Sequence, residues 1–220
     1  FAAGFFVAAQ RALFRYDFTA AAFVTVTTDL RTSSYLRLAP SPSFGTDDDT
    51  LFVGTYDGVW ISHDGGTHFT RSEGFIRLPL RSVAAVSEDL ADGELFAGGE
   101  YGLWRRVGGT WQPVNVGLGA PLSSVTTDVA LSPAYATDGT LFVTQGSTVS
   151  IGASLYRSSD RGATWERLKG AASMSQVELA PGFPADPRAW LLADQRVLDS
   201  PDGGVTWSAR PFWLEVHTAR

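Results

Sequence analysis

The sequence predicts an all-β protein of the β-propeller class, and three observations support this. A hydrophobic pattern recurs about every 46 residues. Short runs rich in valine, leucine and aromatic residues alternate with turns rich in glycine and aspartate. No segment shows helical periodicity over a useful length. Four short strands per repeat, with a period in the forties, are typical of a propeller blade. A solenoid is the alternative for any repeat, but an antiparallel meander suits a blade better.

The repeat is anchored on one large apolar residue in the third strand of each unit. Segments 5–14, 51–60 and 95–104 align without gaps, the fourth copy (141–156) carries six extra residues, and the fifth spans 189–198. Successive anchors are 46, 44, 52 and 42 residues apart, and the longest interval contains the insertion. The anchors are Phe14, Trp60, Trp104, Tyr156 and Leu198.

Each unit is expected to contain four strands joined by glycine- and aspartate-rich turns, since these residues tolerate positive φ. The first strands are predicted at 35–38, 82–86, 125–131 and 176–179. The second is the Leu-Phe-Val run, and the third holds the anchor. The fourth strands are expected to end near Phe23, Phe69, Trp111, Trp165 and Trp207.

The five units are predicted to form a single domain. The first unit begins at its second strand, and the tail 212–217 would supply the missing strand and close a five-bladed ring. The alternative is a fragment of a propeller with more blades. The expected blades are 1–33, 34–80, 81–123, 124–174 and 175–220.

An eight-residue motif marks the turn between the third and fourth strands. The pattern Ser-x-Asp-x-Gly-x-Thr-Trp occurs in full at 158–165 and 200–207, and in a weaker form at 62–69. It has decayed at 105–111 and is nearly absent from the first unit. The motif residues are Ser62, Asp64, Gly66, Ser158, Asp160, Gly162, Thr164, Trp165, Ser200, Asp202, Gly204, Thr206 and Trp207.

Through this motif the chain resembles the Asp-box, or bacterial neuraminidase repeat, propellers. That family includes sialidases, xyloglucanase-type glycosidases, sortilin-like receptors and photosystem assembly factors, and the resemblance covers nearly the whole chain. It implies that Asp64, Asp160 and Asp202 are structural residues on the rim opposite the binding face. The physical reason is local: aspartate accepts backbone N–H groups in a tight turn, glycine supplies the unusual φ, and tryptophan covers the hairpin.

The opposite face is the predicted binding face. Because loops of a meander alternate between faces, the turns between second and third strands and the connections between units should share it. Tyrosine, arginine and carboxylate side chains suit a polar ligand such as a sugar or peptide, although an ordinary hydrated loop surface is the simpler interpretation. The insertion 146–151 is either a grafted functional loop or neutral. The candidates are Arg11, Tyr56, Asp57, Arg77, Arg81, Glu100, Tyr101, Gln195 and Arg196.

Composition argues against several function classes. A net charge of −6 without a basic run opposes nucleic-acid binding. The absence of cysteine excludes disulfides and cysteine zinc sites, and the three histidines show no metal-binding spacing, so we expect no metal and no cofactor. No apolar run reaches the roughly 18 residues of a transmembrane helix.

The sequence therefore predicts a non-catalytic binding or assembly scaffold for a protein or polysaccharide partner. The resemblance also implies an alternative, a glycoside hydrolase of sialidase or xyloglucanase type. Its carboxylate pair would be Asp57 and Glu100, while 75–79 only loosely echoes the sialidase Phe-Arg-Ile-Pro motif. A structural module of a larger assembly is a third hypothesis. We expect a secreted bacterial protein in an extracellular, cell-surface or periplasmic location, and the sequence leaves its oligomeric state open.

Overall fold

Five antiparallel sheets follow one another along the chain in a computed structural model that describes residues 6–9, 12–27, 37–74, 79–86, 94–119, 124–147 and 152–209. Each sheet is a meander of consecutive strands, which confirms the predicted propeller blades. The described part of the first blade has three strands, and the other blades have four. One helical turn, α1 (Tyr135–Asp138), joins two strands of blade 4.

The strands have the following bounds. Blade 1 contains β1 (Phe6–Ala9), β2 (Ala12–Asp17) and β3 (Ala22–Thr27); blade 2 contains β4 (Arg37–Pro40), β5 (Leu51–Thr55), β6 (Gly58–Ser62) and β7 (Thr70–Arg71). Blade 3 contains β8 (Leu80–Ala85), β9 (Leu95–Gly99), β10 (Gly102–Val107) and β11 (Thr110–Pro113). Blade 4 contains β12 (Ser124–Leu131), β13 (Leu141–Ser147), β14 (Ala153–Ser158) and β15 (Glu166–Ala171), and blade 5 contains β16 (Met174–Leu179), β17 (Ala189–Ala193), β18 (Arg196–Ser200) and β19 (Ser208–Ala209).

The first strands of blades 2 to 5 lie beside one another in sequence order, so they form the inner edge of the blade array. Polar side chains tie them together across the blades. The Ser82 hydroxyl accepts a hydrogen bond from the N–H of Val129 at 3.0 Å, and Asp128 Oδ2 accepts one from the N–H of Val177 at 3.0 Å. Burial raises the pKa of Asp128 despite these donors.

Most of the core lies between blades rather than within them. The second strand of a blade buries a phenylalanine against an aromatic residue from the next blade's loop between its first and second strands. Edge-to-face rings with centroids 5.5–5.9 Å apart recur at three interfaces, which is a favourable aromatic geometry. The pairs are Phe6–Phe44, Phe96–Tyr135 and Phe142–Phe183.

The expectation that fourth strands end near the motif aromatic was wrong, because they begin there. Strand β15 starts at Glu166 and β19 at Ser208, each directly after the motif tryptophan. The reason is that the motif aspartate bonds to the residue before the tryptophan and so extends the turn to that point. The proposed closing tail, 212–217, lies outside the described residues.

Candidate functional site

The turn built by the Ser-x-Asp-x-Gly-x-Thr-Trp motif, called the Asp-box turn here after the family it resembles, is a closed set of local hydrogen bonds. In blade 4 the Ser158 hydroxyl accepts the N–H of Gly162 at 2.8 Å and donates to Asp160 at 2.7 Å. Asp160 in turn accepts the N–H of Thr164 at 2.8 Å and the Thr164 hydroxyl at 2.5 Å. Blades 2 and 5 repeat these serine and aspartate bonds, with His68 ring nitrogen replacing the threonine hydroxyl in blade 2.

These bonds hold the motif carboxylates in their ionised form. The Thr164 hydroxyl and N–H lower the pKa of Asp160, and those of Thr206 do the same for Asp202. The N–H and ring of His68 lower the pKa of Asp64 strongly. Because these carboxylates are bonded within their own turns, the geometry fits a structural role.

The lowered pKa of Asp160 predicts acid sensitivity. A carboxyl whose folded pKa lies below its unfolded value of about 3.8 contributes stability above that value, and this is lost as the pH falls through the folded pKa. Asp160→Asn keeps an acceptor but removes the charge. We expect the variant to be less stable near neutral pH and to lose less stability on acidification. Urea unfolding on both sides of pH 3.8 measures this, and parallel stability curves for the two proteins would contradict it.

The motif tryptophans behave differently in the two complete copies. Trp207 donates its indole N–H to Gly204 O of its own turn at 2.8 Å, as predicted for a residue covering its hairpin. Trp165 instead donates to the Val114 carbonyl of the preceding blade at 2.9 Å. The motif therefore also fastens neighbouring blades, which the local sequence does not reveal.

The Asp-box turns share a rim with the turns between first and second strands. In blade 4 the N–H of Arg161 donates to Gly139 O at 3.0 Å, and in blade 5 the N–H of Gly203 donates to Pro187 O at 2.8 Å. In blade 2 the N–H of Gly65 donates to Asp49 O at 2.9 Å. Turns between second and third strands lie at the other end of the same strands, so the two sets occupy opposite faces.

Exposed apolar side chains occur on the face opposite the Asp-boxes. Tyr56 and Tyr101, in equivalent turns of blades 2 and 3, are 54% and 45% exposed. Nearby, Asn115 Oδ1 accepts the N–H of Leu103 at 2.8 Å and steadies the Tyr101 turn.

Asp57 is a bonded turn residue rather than a free acid. Its Oδ1 accepts the Thr55 hydroxyl at 2.7 Å and the Trp60 indole N–H at 3.1 Å. Burial alone would raise the pKa of Asp57, but these donors and the charge of Arg71 lower it. A glycosidase acid needs a raised pKa, so Asp57 does not suit the acid half of a pair with Glu100.

The other predicted binding residues are dispersed. Gln195 and Arg196 are exposed in the second-to-third turn of blade 5, which Asp194 ties to Ser173 at 2.8 Å. Arg81 occupies the bulge of β8 on the inner edge, where its carbonyl accepts Arg37 Nε. Arg11, Arg77 and most of the 146–151 insertion lie outside the described residues.

One charged cluster escaped prediction from the sequence. Between blades 3 and 4, Glu94 accepts hydrogen bonds from Tyr135 Oη and Arg105 Nε, both at 2.5 Å, and from Arg161 Nη1 at 3.4 Å. Glu94 is 8% and Tyr135 3% exposed, and the pair lies on the Asp-box rim, so it is an interblade clamp.

The described residues contain no group of three or more side chains suited to holding a metal ion. No helix among them has the length and apolarity needed to cross a membrane.

Comparisons with known proteins support the fold. No family model matches the chain, and no curated protein matches it by sequence. It is similar in structure to the GH74 xyloglucanase of Xanthomonas campestris (17% identity, TM-score 0.59), covering 90% of this chain and 34% of that one. The extracellular domain of a putative one-component system from B. thetaiotaomicron is similar over 94% of this chain and 26% of that one (12% identity, TM-score 0.67). A chain of the nidogen/laminin complex is similar over 89% and 70% (12% identity, TM-score 0.61).

The chain thus spans about a third and a quarter of the first two of these structures. At such low identity the likeness concerns the fold alone. Together with the five blades of antiparallel strands, it shows that this chain has a β-propeller fold.

Proposed function

We propose that the chain is a non-catalytic binding scaffold that recognises a protein or carbohydrate ligand on the face opposite the Asp-boxes. The observation that carries the proposal is the pair of exposed tyrosines, Tyr56 and Tyr101, at equivalent turns of adjacent blades. Exposed aromatic rings on a rigid scaffold offer large contact area at low entropic cost. We further propose membership of the Asp-box family and an extracellular or periplasmic location.

The chemistry of the candidate carboxylates favours binding over catalysis. Asp57 is held ionised by its turn, and the Tyr135–Glu94 pair is buried in an interblade clamp. The neighbours offer precedents for both roles, since one is a xyloglucanase and another belongs to a protein complex. At 12–17% sequence identity, neither neighbour's role can be assigned to this chain.

The test presents xyloglucan oligosaccharides and sialyllactose to the protein and measures binding by calorimetry and hydrolysis by product release. The scaffold proposal expects binding without release. Release that disappears in both Asp57→Ala and Glu100→Ala would instead establish the glycoside hydrolase alternative.

Tyrosine removal should weaken whichever of these ligands binds. We expect Tyr56→Ala and Tyr101→Ala each to lower affinity roughly ten-fold or more, since truncating an interface aromatic typically costs at least about 1–2 kcal/mol. The control is Phe18→Ala, which removes a 69% exposed aromatic from the Asp-box rim. Equal losses in the tyrosine and Phe18 variants would contradict the assigned face.

A further inference from the structure

A cavity of about 500 Å³ opens between blades 1 and 2 on the Asp-box rim, away from the proposed binding face. Its volume falls within the roughly 300–1,000 Å³ of small-molecule sites. The apolar part of its lining includes Phe6 and Phe44, and the charged part consists of Arg15, Asp49 and Asp64. The interface between blades 3 and 4 shows how side chains can fill the equivalent space.

The strand register makes Arg15 the equivalent of Arg105, because each lies opposite the second-strand phenylalanine of its blade, Phe6 or Phe96. Between blades 3 and 4 the protein fills the space next to this arginine. Arg105 Nε donates to Glu94 at 2.5 Å, and Arg161 of the following blade donates to the same carboxylate at 3.4 Å. That interface therefore holds an arginine, a carboxylate and a second cation.

Between blades 1 and 2 the sequence supplies neither of the two filling side chains. In the aligned sequence repeats, Gly4 corresponds to Glu94, the residue before the second strand's apolar run. Gly65 occupies the position of Arg161, the residue after the motif aspartate. The described part of this interface therefore keeps the arginine but has no counterpart of the Glu94 carboxylate or of the Arg161 guanidinium.

Among the described residues, the retained arginine interacts only with the charge of Asp17. Arg15 is exposed and makes no hydrogen bond to them. The pKa of Asp17 is lowered chiefly by the N–H groups of Ala20 and Thr19, and the charge of Arg15 contributes least. The guanidinium is thus available to an anion in the cavity.

Blade 2 also carries an acid that its counterparts lack. Asp49 accepts the N–H of Gly65 through its backbone at 2.9 Å, and the residues making this bond in blades 4 and 5 are Gly139 and Pro187. Since the Asp64 carboxylate is engaged by its own turn, Asp49 is the acid that can meet a cation. The lining therefore offers Arg15 to a ligand anion and Asp49 to a ligand cation.

We propose that this cavity binds a free α-amino acid. The ligand carboxylate meets Arg15, as Glu94 meets Arg105, and its ammonium group meets Asp49. An apolar side chain packs against Phe6 and Phe44. The site is independent of the proposed scaffold function, because it lies on the opposite rim.

The first test measures binding of L-phenylalanine by calorimetry or NMR titration. Two controls each lack one charge: 3-phenylpropanoate has no ammonium group, and 2-phenylethylamine has no carboxylate. We expect L-phenylalanine to bind and both controls to bind roughly ten-fold or more weakly, since each loses a charge-assisted hydrogen bond. No binding of L-phenylalanine up to its solubility limit, or equal binding of either control, would overturn the proposal.

Two variants then locate the site. Arg15→Ala should weaken binding roughly ten- to a hundred-fold. Gly65→Arg should abolish it by placing a guanidinium where Arg161 stands; Arg161 has φ 60° and Gly65 has φ 69°, and a Cβ at Gly65 meets nothing within 4 Å. The matched control, Arg157→Ala, removes the equivalent arginine of blade 4, which already bonds to Glu166, and should leave binding unchanged. Undiminished binding in Gly65→Arg would refute the location.

Discussion

Phe142→Ala should lower the free energy of unfolding by about 3–5 kcal/mol. Phe142 is fully buried, and its ring packs edge-to-face on Phe183 of the next blade at 5.9 Å. Removing it leaves a cavity between two rigid sheets, which close poorly around a void. Chemical denaturation of the variant and the parent protein measures the loss.

The control for this prediction is an equally large truncation where no cavity forms. Phe18→Ala removes a ring that is 69% exposed, and a change within roughly 0.5 kcal/mol is expected. A loss below about 1 kcal/mol for Phe142→Ala would mean that blade-to-blade packing does not carry the stability of this interface.

Glu94→Ala should cost a similar amount, about 3–5 kcal/mol, through a different mechanism. The side chains of Glu94 and Arg105 are only 10% and 18% exposed. Removing the carboxylate therefore leaves a poorly solvated guanidinium without its ion-pair partner. It also leaves the hydroxyl of Tyr135 without its acceptor.

A surface ion pair provides the matched comparison. Glu166 pairs with Arg157 at 2.8 Å, but their side chains are 64% and 30% exposed. Glu166→Ala should therefore cost about 1 kcal/mol or less. A double-mutant cycle on Glu94 and Arg105 isolates their coupling. If the two glutamate variants lose equal stability, the clamp contributes no more than a surface pair.

The features that the sequence predicted are those encoded locally. The Leu-Phe-Val runs and the glycine–aspartate turns predicted the blades, because strand alternation and positive φ depend on adjacent residues. The bond from the N–H of Thr164 to Asp160 spans four residues, so the motif alone predicted it, whereas the bonds of the Ser158 hydroxyl were not predicted.

The features that could not be predicted from the sequence join residues that are distant in the chain. Tyr135 lies 41 residues from Glu94, and Trp165 lies 51 residues from the carbonyl it bonds. No local pattern marks either contact, since each depends on how one blade is rotated against the next. For the candidate face, the turn sequences alone identified Tyr56 and Tyr101, whereas they gave no sign of the clamp at Glu94.

Hydroxyl-radical footprinting with bound xyloglucan oligosaccharides tests most directly which face of the propeller binds. The exposed aromatic residues report on both faces, since Tyr56 and Tyr101 lie opposite the Asp-boxes and Phe18 lies on their rim. The scaffold account predicts protection of the two tyrosines and an unchanged rate at Phe18. Protection of Phe18 with unaltered tyrosines would contradict it.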